Sequence, residues 1–230
     1  MAPAEGASHP GRRYPETDRH KRVLLIVGAI TFLAAGGLFL AIAEDVASGD
    51  PIVRLDQAAA NWLHAHARPG LTRFLEQVSL LHGVAAITAY TAALSAFLAL
   101  ERDWYWVRRV LVVVGGGMPL NWALKLAYQR LRPAFTDAVS SLTTFSFPSG
   151  HTAGAMLFYG ILALVLASRL SRASRRALCF VPLIVLVPLV AFSRMYLGVH
   201  FMSDVIAAAC ASVAWIAFVL MVVPKFERAG

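Results

Sequence analysis

Between Ser193 and Asp204 the chain places an arginine (Arg194), a histidine (His200) and an aspartate within twelve residues, wedged between two long apolar runs. His200 and Asp204 are four apart, a spacing that puts both on one face of a helix. A carboxylate so placed holds an imidazole in one tautomer and stabilises its cation, which makes the ring a working nucleophile or base. Two further polar clusters stand upstream. In Lys125-Leu-Ala-Tyr-Gln-Arg-Leu-Arg132-Pro133 the two outer cations are seven apart, about two helical turns, although Pro133 biases Arg132 out of the helix. In Pro148-Ser149-Gly150-His151 a hydroxyl and backbone N–H groups stand at the expected start of a helix, an anion-binding arrangement.

Together the clusters supply three cations, a helix N-terminus, two histidines and one carboxylate. That inventory suits a phosphoryl group. Arginine forks grip its oxygens in pairs and lysine adds a point charge. Transfer then requires neutralised equatorial oxygens, a nucleophile and an acid for the leaving group. Two histidines can divide the last two roles. The Asp204 partner favours His200 as nucleophile, but residue types alone leave His151 open. The sequence offers no cluster of carboxylates for magnesium and no Cys/His spacing for zinc, so no metal and no cofactor is expected.

Lys-x6-Arg-Pro, Pro-Ser-Gly-His and Ser-Arg-x5-His-x3-Asp, in this order, resemble the three signatures of the type 2 phosphatidic acid phosphatase superfamily, and this chain matches each without a departure. The resemblance implies a two-step hydrolysis. His200 would become a phosphohistidine, oriented by Asp204. His151 would protonate the leaving oxygen and then activate water. Lys125, Arg132, Ser149, Gly150 and Arg194 would cradle the phosphate. Substrates implied are membrane lipid phosphates or diphosphates: undecaprenyl diphosphate, phosphatidylglycerol phosphate, phosphatidate or diacylglycerol pyrophosphate. A phosphotransferase could use the same residues, with an alcohol intercepting the phosphohistidine. A non-catalytic transporter would instead show inverted repeats with matching broken helices, and here a single Gly-Pro-interrupted span is visible.

The elements that must position these residues are membrane helices. Of the 230 residues 58% are hydrophobic and 15% charged, with a mean hydropathy of +0.63, against about 25% charged in soluble domains. The reading is an all-α, polytopic protein with six transmembrane helices: about 23–43, 80–100, 110–128, 150–168, 177–192 and 205–223. Two short amphipathic surface helices are expected between the first two spans. Asp50-Pro51 opens one, with Leu55, Ala59, Trp62 and Leu63 on its apolar face; Arg68-Pro69-Gly70 separates it from the other, carrying Leu71, Phe74, Leu75 and Val78. The expected domains are a cytoplasmic N-terminal segment 1–22, disordered over Met1–Tyr14, a six-span unit 23–223, and a cytoplasmic tail 224–230. The uncharged run from Val23 is long enough to be a retained first helix instead of a signal peptide.

Six spans set both termini on one side, with fourteen of the 21 Lys and Arg; the excess puts that side in the cytoplasm and the polar clusters at the outer face of the inner membrane, toward the periplasm or exterior. The net charge of +8 therefore reflects topology, and no nucleic-acid partner is expected; the partners are the bilayer and a lipid phosphate. Cys179 and Cys210 fall inside spans as small buried groups. His64, His66 and His82 read as solvated interfacial histidines, Asp137, Glu44 and Asp45 as solvated charge, Ser193 as a local backbone partner and Gly115–Gly117 as a packing surface.

Overall fold

The computed structural model describes residues 15–49, 51–135 and 144–223, with side chains from Arg22 onward. Its elements are all helical: α1 (Pro15–Ser48), α2 (Pro51–Ala65), α3 (Pro69–Leu81), α4 (Val84–Leu100), α5 (Trp104–Tyr128), α6 (Gly150–Ser168), α7 (Ala173–Leu178), α8 (Val181–Tyr196) and α9 (Met202–Val222). Among the described residues, five segments are long and apolar enough to cross a membrane: Arg22–Ser48, Trp104–Tyr128, Gly150–Ser168, Ala173–Tyr196 and Met202–Val222. Helices α3 and α4 meet that standard only together, bent by 46° at a break between them; counted as one crossing they bring the total to six. This is a multi-pass membrane protein.

Proline and glycine punctuate the bundle where the backbone demands it. Pro69 opens α3 from an extended Arg68, at a position whose N–H would have no helical partner. Helix α5 stops where Gln129 turns left-handed (φ 46°), so Arg132 lies outside any helix, as Pro133 implies. Within α5 the glycine run permits close packing. A Cβ on Gly116 would lie 2.6 Å from Trp215 Cζ2, and one on Gly117 would lie 2.6 Å from Leu157 Cδ1.

The main core fills the space between α4, α5, α6 and α9, with Leu98, Val110, Val113, Leu157, Ile161 and Val219 fully buried. Helix α1 runs along α9, where Phe39, Ile42 and Ala43 close over Phe147 and Ala207. At the end remote from the polar clusters, buried Arg109 reaches from α5 to the α9 C-terminus, donating to the Val223 carbonyl at 2.7 Å.

On the apolar face of α2, Leu55 and Trp62 are each 60% exposed, as suits a helix on the membrane surface, while Leu63 turns inward with Asp56 and Ala60. Other expectations are corrected. Helix α3 buries Leu75, Val78 and Ser79 against α8 and continues through the break into α4, so it belongs to the second crossing as much as to the surface. His82 is buried, not solvated: Nδ1 meets the Val78 carbonyl at 2.7 Å and Nε2 the Tyr159 hydroxyl at 2.9 Å. Cys179 and Cys210 are free and half-buried. Asp50, Asp137 and Met1–Tyr14 lie outside the described residues.

Candidate active site

Helices α5 and α8 end, and α6 and α9 begin, at the same end of the bundle, so the three sequence clusters converge there. A backbone bond ties the second to the third: the Ser149 N–H donates to the Asp204 carbonyl at 3.0 Å. Ser149 is fully buried at the start of α6, and Thr152 Oγ1 donates to its hydroxyl at 3.1 Å. Gly150 follows at the helix start beside Asn121 and Lys125, where a Cβ would lie at ordinary contact distance, 3.6 Å from Asn121 Oδ1 and 3.9 Å from Lys125 Cε.

His200 and Asp204 do meet, but not as two residues of one helical face. His200 precedes α9 in the tight connection after α8, where Gly198 (φ 67°) makes the turn and the Arg194 carbonyl accepts the N–H groups of Val199 and His200. Asp204 sits in the first turn of α9, and its Oδ2 accepts the Phe201 N–H at 2.9 Å. The same oxygen lies 3.3 Å from His200 Nδ1. The four-residue spacing thus works through a helix N-terminus: the carboxylate caps the backbone and holds the ring together.

On the other side of the ring, Arg132 Nη1 lies 3.3 Å from His200 Nε2. A guanidinium can only donate, so Nε2 presents its lone pair and Nδ1 carries the proton toward Asp204. His200 is 2% exposed. Burial pulls its pKa from 6.5 down to about 4, against the opposing pull of the Asp204 hydrogen bond and charge. The ring is therefore neutral near pH 7. Burial also holds the Arg132 guanidinium below its ordinary value, opposed by Asp204.

The remaining cations surround this face. Lys125 Nζ donates to the carbonyls of Phe145 (2.8 Å) and Ser146 (3.2 Å). Arg132 clamps the same strap, giving Nε to the Thr144 carbonyl at 2.7 Å and Nη2 to Thr144 Oγ1 at 3.0 Å. Arg194 is buried with Nη1 on the Ser79 hydroxyl; its Nε has no partner among the described residues, leaving a donor for an anion. His151, half-buried at the first turn of α6, is within electrostatic reach of Arg194, His200 and Arg132. Every site residue expected from the sequence is thus at one place. Ser193 is apart in role: its hydroxyl donates to the Val190 carbonyl at 2.7 Å, a local backbone bond.

Four contributors escaped the sequence reading. Arg130 donates to Asp204 Oδ1 at 2.7 Å and to Asp56 Oδ2 at 2.8 Å. Ser203 gives its N–H to Asp56 Oδ1 at 2.9 Å. Ser79 holds Arg194 from α3. Arg130 is one of the unspecified positions inside Lys-x6-Arg-Pro, and Asp56 is one acid on a helix with solvated neighbours; the one available signal is the charge of Asp56 among the apolar residues of α2.

Fold and site together define a multi-pass helical bundle with a histidine–aspartate pair ringed by cations at one end. The chain belongs to the PAP2 superfamily, whose family model matches residues 106–228. It is 39% identical over 98 residues to phosphatidylglycerophosphatase B of Bacillus subtilis (strain 168), a match covering 42% of this chain and 48% of that protein. The aligned part thus spans about half the length of that relative. The crystal structure of a transmembrane PAP2-type phosphatidylglycerolphosphate phosphatase from Bacillus subtilis superposes with a TM-score of 0.77 at 25% identity, covering 87% of this chain and 99% of that one. Aquifex aeolicus LpxE shares the fold, with a TM-score of 0.57 at 24% identity over 72% of this chain and 94% of that one.

Proposed function

We propose that this protein is a membrane phosphatase that removes the terminal phosphate of a lipid phosphate or diphosphate through a phosphohistidine on His200. The observation that carries the reading is His200 itself: a neutral ring whose Nδ1 faces Asp204 and whose Nε2 faces the Arg132 guanidinium where a phosphoryl group would be held. The Nε2 lone pair attacks phosphorus, forming an N–P bond as the bond to the leaving oxygen breaks. His151 gives that oxygen a proton. It then takes one from water, whose attack breaks the N–P bond and frees inorganic phosphate. Lys125, Arg132, Arg194 and the Ser149–Gly150 helix start neutralise the equatorial oxygens. No metal takes part in this scheme.

Among the lipids, phosphatidylglycerol phosphate is favoured, because a relative and a structural neighbour both bear its name. The unit acting on it is 23–223, with 1–22 and 224–230 as cytoplasmic tails. The basic residues of the 101–109 and 169–176 turns lie at the opposite end from the site, which supports an outward-facing site in the inner membrane.

The test is phosphate release by detergent-solubilised protein from a panel of lipid phosphates and diphosphates, with EDTA present. Wild type should release phosphate and His200→Ala should release none. Near-normal turnover by His200→Ala would sink the mechanism, and loss of wild-type activity in EDTA would sink its metal independence.

A further inference from the structure

The support behind the nucleophile does not end at Asp204. One carboxylate oxygen, Oδ2, serves His200 and the Phe201 N–H; the other, Oδ1, is held by Arg130 at 2.7 Å. Arg130 is gripped in turn by Asp56 at 2.8 Å and lies over the Phe201 ring, 4.3 Å from its centroid. Its Nη1 also donates to Ser203 Oγ at 2.7 Å, and the Ser203 hydroxyl donates to Asp56 Oδ2. Asp56 and Asp204 are both 0% exposed and the Arg130 side chain is 11% exposed. A carboxylate with partners on both oxygens cannot rotate away from the imidazole.

Asp56 comes from α2, outside the three sequence clusters. It accepts the Ser203 N–H, one of the first-turn donors of α9 that no helical carbonyl can reach, and so caps that helix from another element. Buried ion pairs are weak stabilisers, and apolar side chains of similar volume often do as well or better. Two buried carboxylates bridged by one guanidinium are therefore a poor answer to a packing problem. They are a good answer to an orientation problem, in which an ionised Asp204 must face His200 at a fixed angle.

We propose that Arg130 and Asp56 are positioning residues for the His200–Asp204 pair, so that the nucleophile is aligned only while α2 is docked. This rests on the phosphatase reading above. Arg130 acts through Asp204 and Asp56 acts through Arg130 and Ser203.

Charge gives the proposal a signature that a packing defect lacks. His200 is faced by Asp204 from α9, Arg132 from the segment after α5, Lys125 from α5 and His151 from α6; Arg194 of α8 acts on His151 and Lys125, and Arg130 and Asp56 stand behind Asp204. Without the guanidinium, the Asp204 charge acts on His200 uncompensated and stabilises the imidazolium. The acid limb of kcat/KM, where His200 gains its proton, must then move to higher pH. Removing the Asp56 charge leaves Arg130 to Asp204 alone and must not raise that limb.

The experiment measures pH profiles of phosphate release for the full chain in detergent on the fastest lipid of the panel above. Wild type, His200→Ala, Arg130→Gln, Arg130→Lys and Asp56→Asn run side by side. Arg130→Gln should lose about 10- to 100-fold in kcat, the scale on which partners that orient metal-bound histidines act, with KM held within about threefold. Its acid limb should rise, Arg130→Lys should recover part of the rate, and Asp56→Asn should lose rate without a rising limb. Unchanged kcat in Arg130→Gln, or a loss carried by KM with an unmoved limb, overturns the proposal. If Arg130→Gln does not fold, Arg130→Lys and Asp56→Asn decide it, and wild-type kcat in both overturns it. A wild type without His200-dependent release overturns the phosphatase reading as well, which separates the two failures.

Discussion

Arg132 Nη1 stands 3.3 Å from His200 Nε2, and the same nitrogen donates to the Val199 carbonyl at 2.6 Å. One guanidinium therefore holds the backbone beside His200, the strap at Thr144 and Phe145, and the Nε2 face of the ring. An incoming phosphoryl group need only exchange with the weakest of these contacts to find the fork already in place.

Arg132→Lys is expected to be far from conservative. A single ammonium cannot reach the carbonyls of Thr144, Phe145 and Val199 together, and it lacks the planar fork that matches phosphate oxygens. The expected loss in kcat/KM is about 10²- to 10³-fold, the usual effect of removing a preorganised oxyanion donor. Steady-state phosphate release checks this, and a change within threefold would refute it.

Asp204→Asn should fail in two ways. An amide beside Nδ1 no longer enforces the tautomer with its lone pair on Nε2, and the analogous change in a serine protease triad costs about 10⁴-fold in kcat. Arg130 also loses one of its two carboxylates, and breaking a buried ion pair by removing one partner costs about 3–5 kcal/mol. Thermal unfolding in detergent should show a lowered midpoint alongside the lost activity. A midpoint equal to wild type would mean that Asp56 alone balances Arg130.

The pH dependence has a definite sign. His200 takes up a proton near pH 6.5 when unfolded and only near 4 when folded, because burial disfavours its cation. Between those values the unfolded chain binds more protons, so stability rises with pH through this window. The contribution is complete above about 6.5 and lost as pH falls through about 4. Comparing melting of wild type and His200→Gln from pH 7 to pH 4 isolates it: the wild-type midpoint should fall more steeply. Parallel slopes would show that His200 is not buried neutral.

The convergence of the three polar clusters was legible because their logic is local. Ser149, Gly150 and His151 are consecutive, and His200 and Asp204 are fixed by four residues of chain, so composition and spacing carry most of the geometry. The all-helical, multi-pass character was legible for the same reason: long uncharged runs admit one solution in a bilayer. What pattern does not reveal is which polar residues turn inward. On α2 the apolar Leu55 and Trp62 point outward while Asp56 is fully buried. In a chain surrounded by lipid, apolar side chains are at home on the outside, and a polar group inside has partners. An outward Leu55 and Trp62 thus agree with a surface helix, and the part of α2 that pattern hides is its buried acid. His82 was misread for the same reason, its partners Val78 and Tyr159 lying on α3 and α6. Arg130 was invisible because its two partners come from α2 and α9.

Residues 106–228 match the family, yet Asp56 lies ahead of that stretch and reaches the support of the nucleophile from outside it. The consequence concerns interchange of parts between related proteins. A chimera that takes α5 to α9 from this chain and the preceding helices from a relative without an acid at the place of Asp56 would leave Arg130 to Asp204 alone. Such a hybrid would keep every signature residue and still present a misaligned His200. Transplanting Asp56 with its helix would restore it, so the heritable unit of this site is larger than its motifs.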